Sequence, residues 1–412
     1  MKRPAVAIIG AGASGLCAAI EAAVTAKGKA DIVVFESLAR CGKKILATGN
    51  GRCNLSNADT DLSHYYGDTA LVSSVFESYS PQSTLDFFQT LGLFLRVDQA
   101  GRIYPLSNQA SAVLDALRFE VQRLQVEIKT ETPVKTIEKT KDGYLLNGSF
   151  FADSVVIACG GKAAPVHGSD GSGYALLHSL QVKTTPVFPA LTPLIIDQFP
   201  KSLKGIRAEG SIAVKNRGKI LAQSTGEIQY TDYGLSGIPA MQVSGAVSGL
   251  LTEDPNAVCH VFIDRAPGVS EEQLTDYIMR QKKERPALLC EDLLTGIMPK
   301  RLGVTVLTEV SVQPQKNLNA LNAGAVSALV ANIKSKKYKI SSVCGFAEAQ
   351  VTGGGVPVSE INMQTLALNK AAHIHVCGEI VNVHGDCGGY NLLWAWNSGR
   401  LAGYSAVKGC LC

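Results

Sequence analysis

Hydrophobic positions along the chain switch between two spacings. Continuous apolar runs within 5–9, 31–35 and 154–159 have the length and β-branched content of parallel strands buried on both faces. After the first run the period becomes helical: Leu16, Ala19, Ile20 and Ala23 share one side of a segment reaching about Ala26. The same period predicts helices over 80–93 (Leu85, Phe88, Leu91) and 110–124 (Val113, Leu117, Val121). Pro186, Pro189 and Pro193 mark a change of character. From 191 to about 262 the pattern is strand-like, with 211–214 and 219–222 joined at Asn216-Arg217-Gly218, a hairpin signal. Ser270, followed by Glu271 and Glu272, opens a charged helix, and a second helical stretch follows Pro286. A short strand at 374–377 then ends in Gly378-Glu379, and a helix runs from Leu392 to about Ala402. This is an α/β chain interrupted by a β-rich insertion. The expected domains are 1–190, 191–342 (β-rich at 191–262 and 303–342, helical at 263–302) and 343–412.

The first strand–helix turn reads Gly10-Ala11-Gly12-Ala13-Ser14-Gly15, and the second strand closes on Glu36. Strand, G-x-G-x-x-G, helix, strand and acid form a dinucleotide fingerprint. Gly10 permits the tight turn, Gly12 lets backbone approach a pyrophosphate, and Gly15 lets helix and strand pack closely. Phosphate is favoured at the helix start by free N–H groups and the helix dipole, and Glu36 accepts hydrogen bonds from ribose hydroxyls. The loop alone does not separate FAD from NAD; its position at the start of the sequence favours FAD.

Segment 40–57 is glycine-rich and basic. Lys43, Lys44 and Arg52 suit a pyrophosphate or the negative charge of a reduced flavin, or else a solvated basic loop. The strand at 154–159 runs into Gly160-Gly161, a turn of the kind that returns a chain beside a flavin. Gly385-Asp386-Cys387-Gly388-Gly389-Tyr390-Asn391 opens the last helix, whose start would stabilise negative charge at the flavin pyrimidine edge. The alternative is an ordinary helix start with Asp386 and Asn391 bonding locally. There is no second complete fingerprint, so any NAD(P)H would bind transiently as an electron donor.

Composition narrows the class. Glycine, 40 of 412 residues, is in excess and collects at 10–15, 42–51, 160–173, 353–355 and 378–389, where backbone must come close to something. A net charge of +4 without a basic run gives little support to a nucleic acid or membrane partner. The segment after Met1-Lys2-Arg3 is too short for a signal peptide, which with 11 cysteines suggests reduced thiols and a cytoplasmic setting. Cys410 and Cys412 read as a frayed tail. No Cys/His spacing suits a metal, and none is expected.

Three blocks carry a wider resemblance: Thr-Gly-Asn-Gly-Arg-Cys-Asn at 48–54, Val-Thr-Gly-Gly-Gly-Val at 351–356, and Gly388-Gly389-Tyr390-Asn391-Leu392. They resemble the BaiN-type flavoprotein family, NAD(P)/FAD-dependent oxidoreductases also labelled aminoacetone oxidase family FAD-binding enzymes. One branch is described as 3-dehydro-bile acid Δ4,6-reductase. Gly226-Glu227, the segment 231–237 and Met298-Pro299-Lys300-Arg301-Leu302 are similar to family blocks as well. The chain departs at Asn382 and His384, where the family often has Asp, and at Asp232, where it often has His. The resemblance implies a Rossmann-like FAD-binding domain of the glutathione reductase type, split in sequence, with an inserted β-barrel-like and helical substrate domain. Its implied cofactor contacts are Gly10, Gly12, Ala13, Ser14, Gly15, Glu36, Lys43, Lys44, Gly51, Arg52, Cys53, Asn54, Val134, Ala158, Gly160, Gly161, Gly378, Glu379, Gly388, Gly389, Tyr390 and Asn391.

The expected activity is FAD-dependent reduction of a carbon–carbon double bond in an apolar enone, a steroid- or bile-acid-like 3-oxo-Δ4 compound, by hydride transfer from flavin N5. The carbonyl needs a hydrogen-bond donor and the α-carbon a proton; Tyr233, Arg52 and His384 are the candidates. An amine or aminoketone oxidase is the alternative, and a flavin-dependent RNA-modifying or RNA-binding protein is the alternative of another class. The pattern is silent on oligomeric state.

Overall fold

The computed structural model describes residues 3–411; Met1 and Lys2, which belong to the signal-peptide argument, and Cys412 lie outside the described residues. The chain divides into two compact units: residues up to Phe188 with those from Gln350 onward, and Pro189–Ala349. The return falls later than the expected 342/343 boundary. Strand Lys336–Val343 still belongs to the inserted unit, and the Cys344 N–H bonds Pro193 O at 2.9 Å.

The first unit is a Rossmann-type α/β domain. Its six-stranded sheet has the order Ala367–Leu368, Ala371–Val376, Ser154–Ile157, Ala5–Ile9, Asp31–Phe35, Glu127–Lys129. Five strands are parallel and Ala367–Leu368 is an antiparallel edge. Val6, Ala7 and Ile8 are fully buried, which is why that strand reads as a continuous apolar run. Helix Ala13–Ala26 packs along the C-terminal helix Tyr390–Leu411. The seam is set by two glycines of the second helix: a Cβ on Gly399 would lie 2.2 Å from Ser14 O, and one on Gly403 2.1 Å from Ala18 O. That last helix is longer than its expected span, so Cys410 is not frayed; it lies in the helix with its thiol pushed up to about 11 by burial.

The inserted unit is built on a closed six-stranded barrel: Leu194–Ile196, Gly234–Ser236, Lys219–Tyr230, Arg207–Asn216, Cys259–Asp264 and Lys336–Val343. Alternating Ile212, Val214, Ile228, Val261 and Ile263 fill it. Two expectations fail here. The span 303–342 is not β-rich: Lys300–Glu309 and Ala323–Lys334 are helices, and the strand begins only at Lys336. Asn322 caps the second of these through Ala325 N, and Val326, Leu329, Val330 and Ile333 are buried at helical spacing. Likewise Ile238–Glu253, inside the strand-like span 191–262, is a helix with Pro239 in its first turn.

Candidate functional site

The site grows from the first turn of the Rossmann unit. Gly10 turns at φ +104°, its N–H bonds Phe35 O at 2.7 Å, and a Cβ there would lie 2.5 Å from Ala158 O. At Gly15 a Cβ would lie 1.8 Å from Gly10 O, so strand and helix approach as the fingerprint requires. On Gly12 it would meet nothing within 4 Å: the open side belongs to a cavity of about 520 Å³ that Gly10, Gly12, Ala13 and Ser14 border. No side chain caps the helix that starts there, which leaves its first N–H groups suited to an anion. Glu36, at the end of the second strand, is buried and borders the same cavity. Its Oε2 accepts from Ala11 N and its Oε1 from Leu38 N, both at 2.9 Å. These bonds fix the carboxylate at the edge of the glycine turn.

Val134, Ala158, Gly160, Lys43, Lys44, Glu379 and Asn391 also line the cavity. Lys43 is tied by its Nζ to Val166 O at 2.9 Å. Lys44 gives its Nζ to Glu379 Oε2 at 2.7 Å and to Ala163 O at 3.1 Å. Glu379 Oε1 accepts from Thr352 N at 3.0 Å and Thr352 Oγ1 at 2.8 Å, and Thr352 Oγ1 in turn accepts from Lys162 N and Ala163 N. Thr352 thus ties the Gly160-Gly161 turn to Glu379. Gly161 is held to glycine by it, because a Cβ would stand 2.4 Å from Thr352 Oγ1. Gly378 packs the same way on Ser14 Oγ, 2.5 Å from a Cβ position.

The remaining loop residues are not cavity lining. Gly49, Asn50, Gly51 and Cys53 all have positive φ, +57°, +55°, +81° and +58°, a strained run for the two non-glycine residues. Within it Cys53 is fully buried, and burial pushes its thiol up to about 12, so it stays protonated. Arg52 lies over the Tyr104 ring, 4.9 Å from the centroid, with Nε on Gly49 O at 3.1 Å. Asn54 Oδ1 is buried without a hydrogen-bond partner, close to Gly389, where a Cβ would meet Ser56 O at 2.4 Å. Gly388, at φ +145°, accepts a hydrogen bond on its carbonyl from Asn57 Nδ2 at 3.0 Å. Asn391 bonds Gly385 N and Gly385 O, each at 2.8 Å, so it takes the local helix-start role as well as bordering the cavity. Tyr390 is buried and stacks on His64, 4.4 Å between centroids.

The three candidate proton or hydrogen-bond donors are not equivalent. Tyr233 is exposed in the inserted unit, and partial burial together with Cys344 raises its phenol pKa. His384 is buried on strand Val383–Gly385, stacked on Tyr66, with Nδ1 unpartnered. Burial lowers it to about 4, with Asp386 opposing, so it is a neutral imidazole at ordinary pH. It therefore keeps one N–H to offer a carbonyl oxygen, without the cationic form of a stronger proton donor. Arg52 offers N–H donors and no acceptor, which suits it to binding or polarisation.

His167, Ser169 and Asp170 also line the cavity, and no motif of the sequence singles them out. Their one clue was the glycine-rich run after Gly160, in which Ala164, Gly168 and Gly171 adopt left-handed backbone. Ser169 Oγ and His167 Nδ1 are buried, border the cavity and have no partner. Unsatisfied polar atoms, an uncapped helix start and the open side of Gly12 fit a bound dinucleotide such as FAD. Among the described residues no group of His, Cys, Asp and Glu is placed to hold a metal ion, and no helix is long and apolar enough to cross a membrane.

Comparison with known proteins agrees with this geometry. A family model described as HI0933-like protein Rossmann domain matches residues 4–405. The chain is 38% identical over 408 residues to a 3-dehydro-bile acid delta(4,6)-reductase of Clostridium scindens, covering 98% of this chain and 99% of the relative. It is 26% identical over 407 residues to a ribosomal RNA dihydrouridine synthase of Escherichia coli, covering 97% and 96%. Among solved structures, a 3-ketosteroid delta1-dehydrogenase from Sterolibacterium denitrificans superposes with a TM-score of 0.51 at 13% identity, covering 99% of this chain and 100% of the other. At that identity the superposition speaks to the fold alone.

Proposed function

The chain belongs to the HI0933-like Rossmann-domain family, and from that premise we propose that it reduces a carbon–carbon double bond conjugated to a carbonyl in an apolar, steroid-like compound. It is an FAD-dependent oxidoreductase. The observation that carries the finer reading is the full-length 38% identity to a bile acid reductase, joined to a cavity whose glycine turn and Glu36 suit an ADP moiety.

Gly10, Gly12, Ala13 and Ser14 would hold the pyrophosphate, Glu36 the ribose, and Val134 the adenine side; bound FAD supplies the two-electron chemistry. Lys44 is held by Glu379, so the charge it offers the cavity is partly compensated and its position is fixed. The start of helix Tyr390–Leu411 places a positive dipole end beside Asn391 and Leu392 at the cavity. Tyr233 of the inserted unit remains a candidate hydrogen-bond donor: its phenol pKa is raised by partial burial, and it is partly open to solvent. Reducing equivalents come from NAD(P)H bound transiently.

A second reading is favoured by the ribosomal RNA dihydrouridine synthase relatives. The uracil ring of a uridine also carries a double bond conjugated to a carbonyl, so one reaction class spans both kinds of relative. The test gives FAD-loaded protein and NADH or NADPH, without oxygen, three substrates in parallel: a 3-oxo-Δ4 bile acid, aminoacetone (also in air) and ribosomal RNA. Product two hydrogens heavier from the bile acid alone supports the reading. Peroxide from aminoacetone in air, or dihydrouridine in the RNA with the bile acid untouched, overturns it.

A further inference from the structure

Beside the strained loop 48–54 lies a feature that the cofactor does not explain. Arg52, Arg96, Asp98 and Arg102 line a separate, open hollow with Gln99 and Ala100. Three guanidinium groups share it with one carboxylate. Arg102 is neutralised there, its Nε on Asp98 Oδ2 at 2.8 Å. Among the described residues Arg96 and Arg52 have no acidic partner within ion-pair distance. Both lie over the Tyr104 ring, at 5.6 and 4.9 Å from its centroid, and that ring is buried, 2% exposed.

Each guanidinium is also positioned by neutral oxygens. Arg96 gives Nε and Nη2 to Asn108 Oδ1 at 3.0 and 2.6 Å, and Arg52 gives Nε to Gly49 O at 3.1 Å. Among the described residues, Nη1 of Arg96 and both Nη groups of Arg52 have no hydrogen-bond partner. Strands Leu95–Val97 and Arg102–Pro105 pair Arg96 directly with Tyr104, so the arrangement is built by sheet register. Two like charges held near one ring, with N–H groups to spare, offer an anion a site. The loop that carries Arg52 begins at Thr48, which borders the cofactor cavity.

We propose that Arg52 and Arg96 form a clamp for the anionic end of the substrate, a carboxylate or the phosphate of an activated ester. The clamp rests on the reading that the substrate is an apolar enone, and it adds the specificity that such a compound must carry a negative charge at a distance from its reacting double bond. Arg52 then binds rather than polarises, and Arg96 is a specificity residue that the sequence patterns did not single out.

The test measures binding to the FAD-loaded protein through the change in its visible spectrum, using a 3-oxo-Δ4 bile acid, its methyl ester and its coenzyme A thioester. The wild type should bind the acid or the thioester about tenfold or more tightly than the ester, a preference that falls with added salt. Arg96→Met should remove the preference by weakening the charged ligand alone, and Arg96→Lys should restore only part of it. Preference for the acid assigns carboxylate; preference for the thioester assigns phosphate. Equal binding of all three by the wild type, or an equal loss for charged and neutral ligands in both variants, overturns the clamp. Equal binding accompanied by reduction of all three leaves the reductase reading standing; a charge preference without reduction of any compound keeps the clamp and removes that reading.

Discussion

Two glycine-rich loops of the Rossmann unit, Gly10 to Gly15 and Thr48 to Asn54, use glycine for opposite reasons. In the first, Gly10 and Gly15 are confined by atoms: a Cβ would meet backbone oxygen at 2.5 and 1.8 Å. In the second, Gly49 and Gly51 serve backbone angle, and at Gly51 the surrounding space is empty. The first loop is packed between strand and helix and leaves only Gly12 open to a ligand. The second is strained and holds a charged side chain over an aromatic ring. Glycine content alone therefore does not identify a cofactor loop; what surrounds each glycine does.

The comparison is broken most severely at Gly15. Gly15→Ala should cost about 3 kcal/mol or more and abolish FAD retention, because the clash is with backbone that cannot step aside. Thermal unfolding and the flavin-to-protein absorbance ratio of the purified variant check this; a stable, yellow protein would contradict it. Glu36→Gln comes next. It keeps the shape but replaces a charged acceptor, so the affinity for FAD should fall roughly tenfold to a hundredfold, read by titrating apoprotein with FAD. Melting temperature without FAD should fall as well, because the amide nitrogen of Gln would face one of the two backbone N–H groups that the carboxylate now accepts.

A third test uses pH. His384 and His375 are lowered to about 4 by burial from an ordinary value of 6.5. Both stay neutral in the folded protein while the unfolded chain takes up protons below 6.5. Stability should accordingly be complete above pH 6.5 and be lost as pH falls toward 4, by on the order of 2–3 kcal/mol for each group. Denaturant titrations across that range should show a shallower loss in His384→Gln. The smallest effect belongs to the second loop: Gly51→Ala should cost only about 1 kcal/mol, from the left-handed backbone, with FAD affinity unchanged. A large loss of FAD there would erase the distinction between the two loops.

What the sequence made legible follows from the same contrast. The fingerprint from Ala5 to Glu36 was readable because strand, turn, helix and acid lie within one local stretch, and each residue's reason is a neighbour in that stretch. Lys44 stands out in the sequence by its charge and by the resemblance of the segment around it. Its partner Glu379 is 335 positions away, and the ion pair between them is invisible to any local pattern. Gly399 and Gly403 carried no motif, yet they set how closely two helices approach. In the inserted unit the helices Ile238–Glu253 and Ala323–Lys334 were missed because alanine, serine and glycine blur the contrast between apolar and polar faces. The residue type of His384 suggests acid–base chemistry, and only its burial shows that the ring remains neutral.

The central claim is a flavin-dependent reduction of a conjugated double bond, and one anaerobic titration addresses it most directly. FAD-loaded protein is reduced chemically, freed of excess reductant, and mixed with a 3-oxo-Δ4 bile acid while flavin and enone absorbance are both followed. The oxidised flavin band should return in step with loss of the enone band, one equivalent for one. A flavin that stays reduced, with the enone intact until oxygen is admitted, would contradict it.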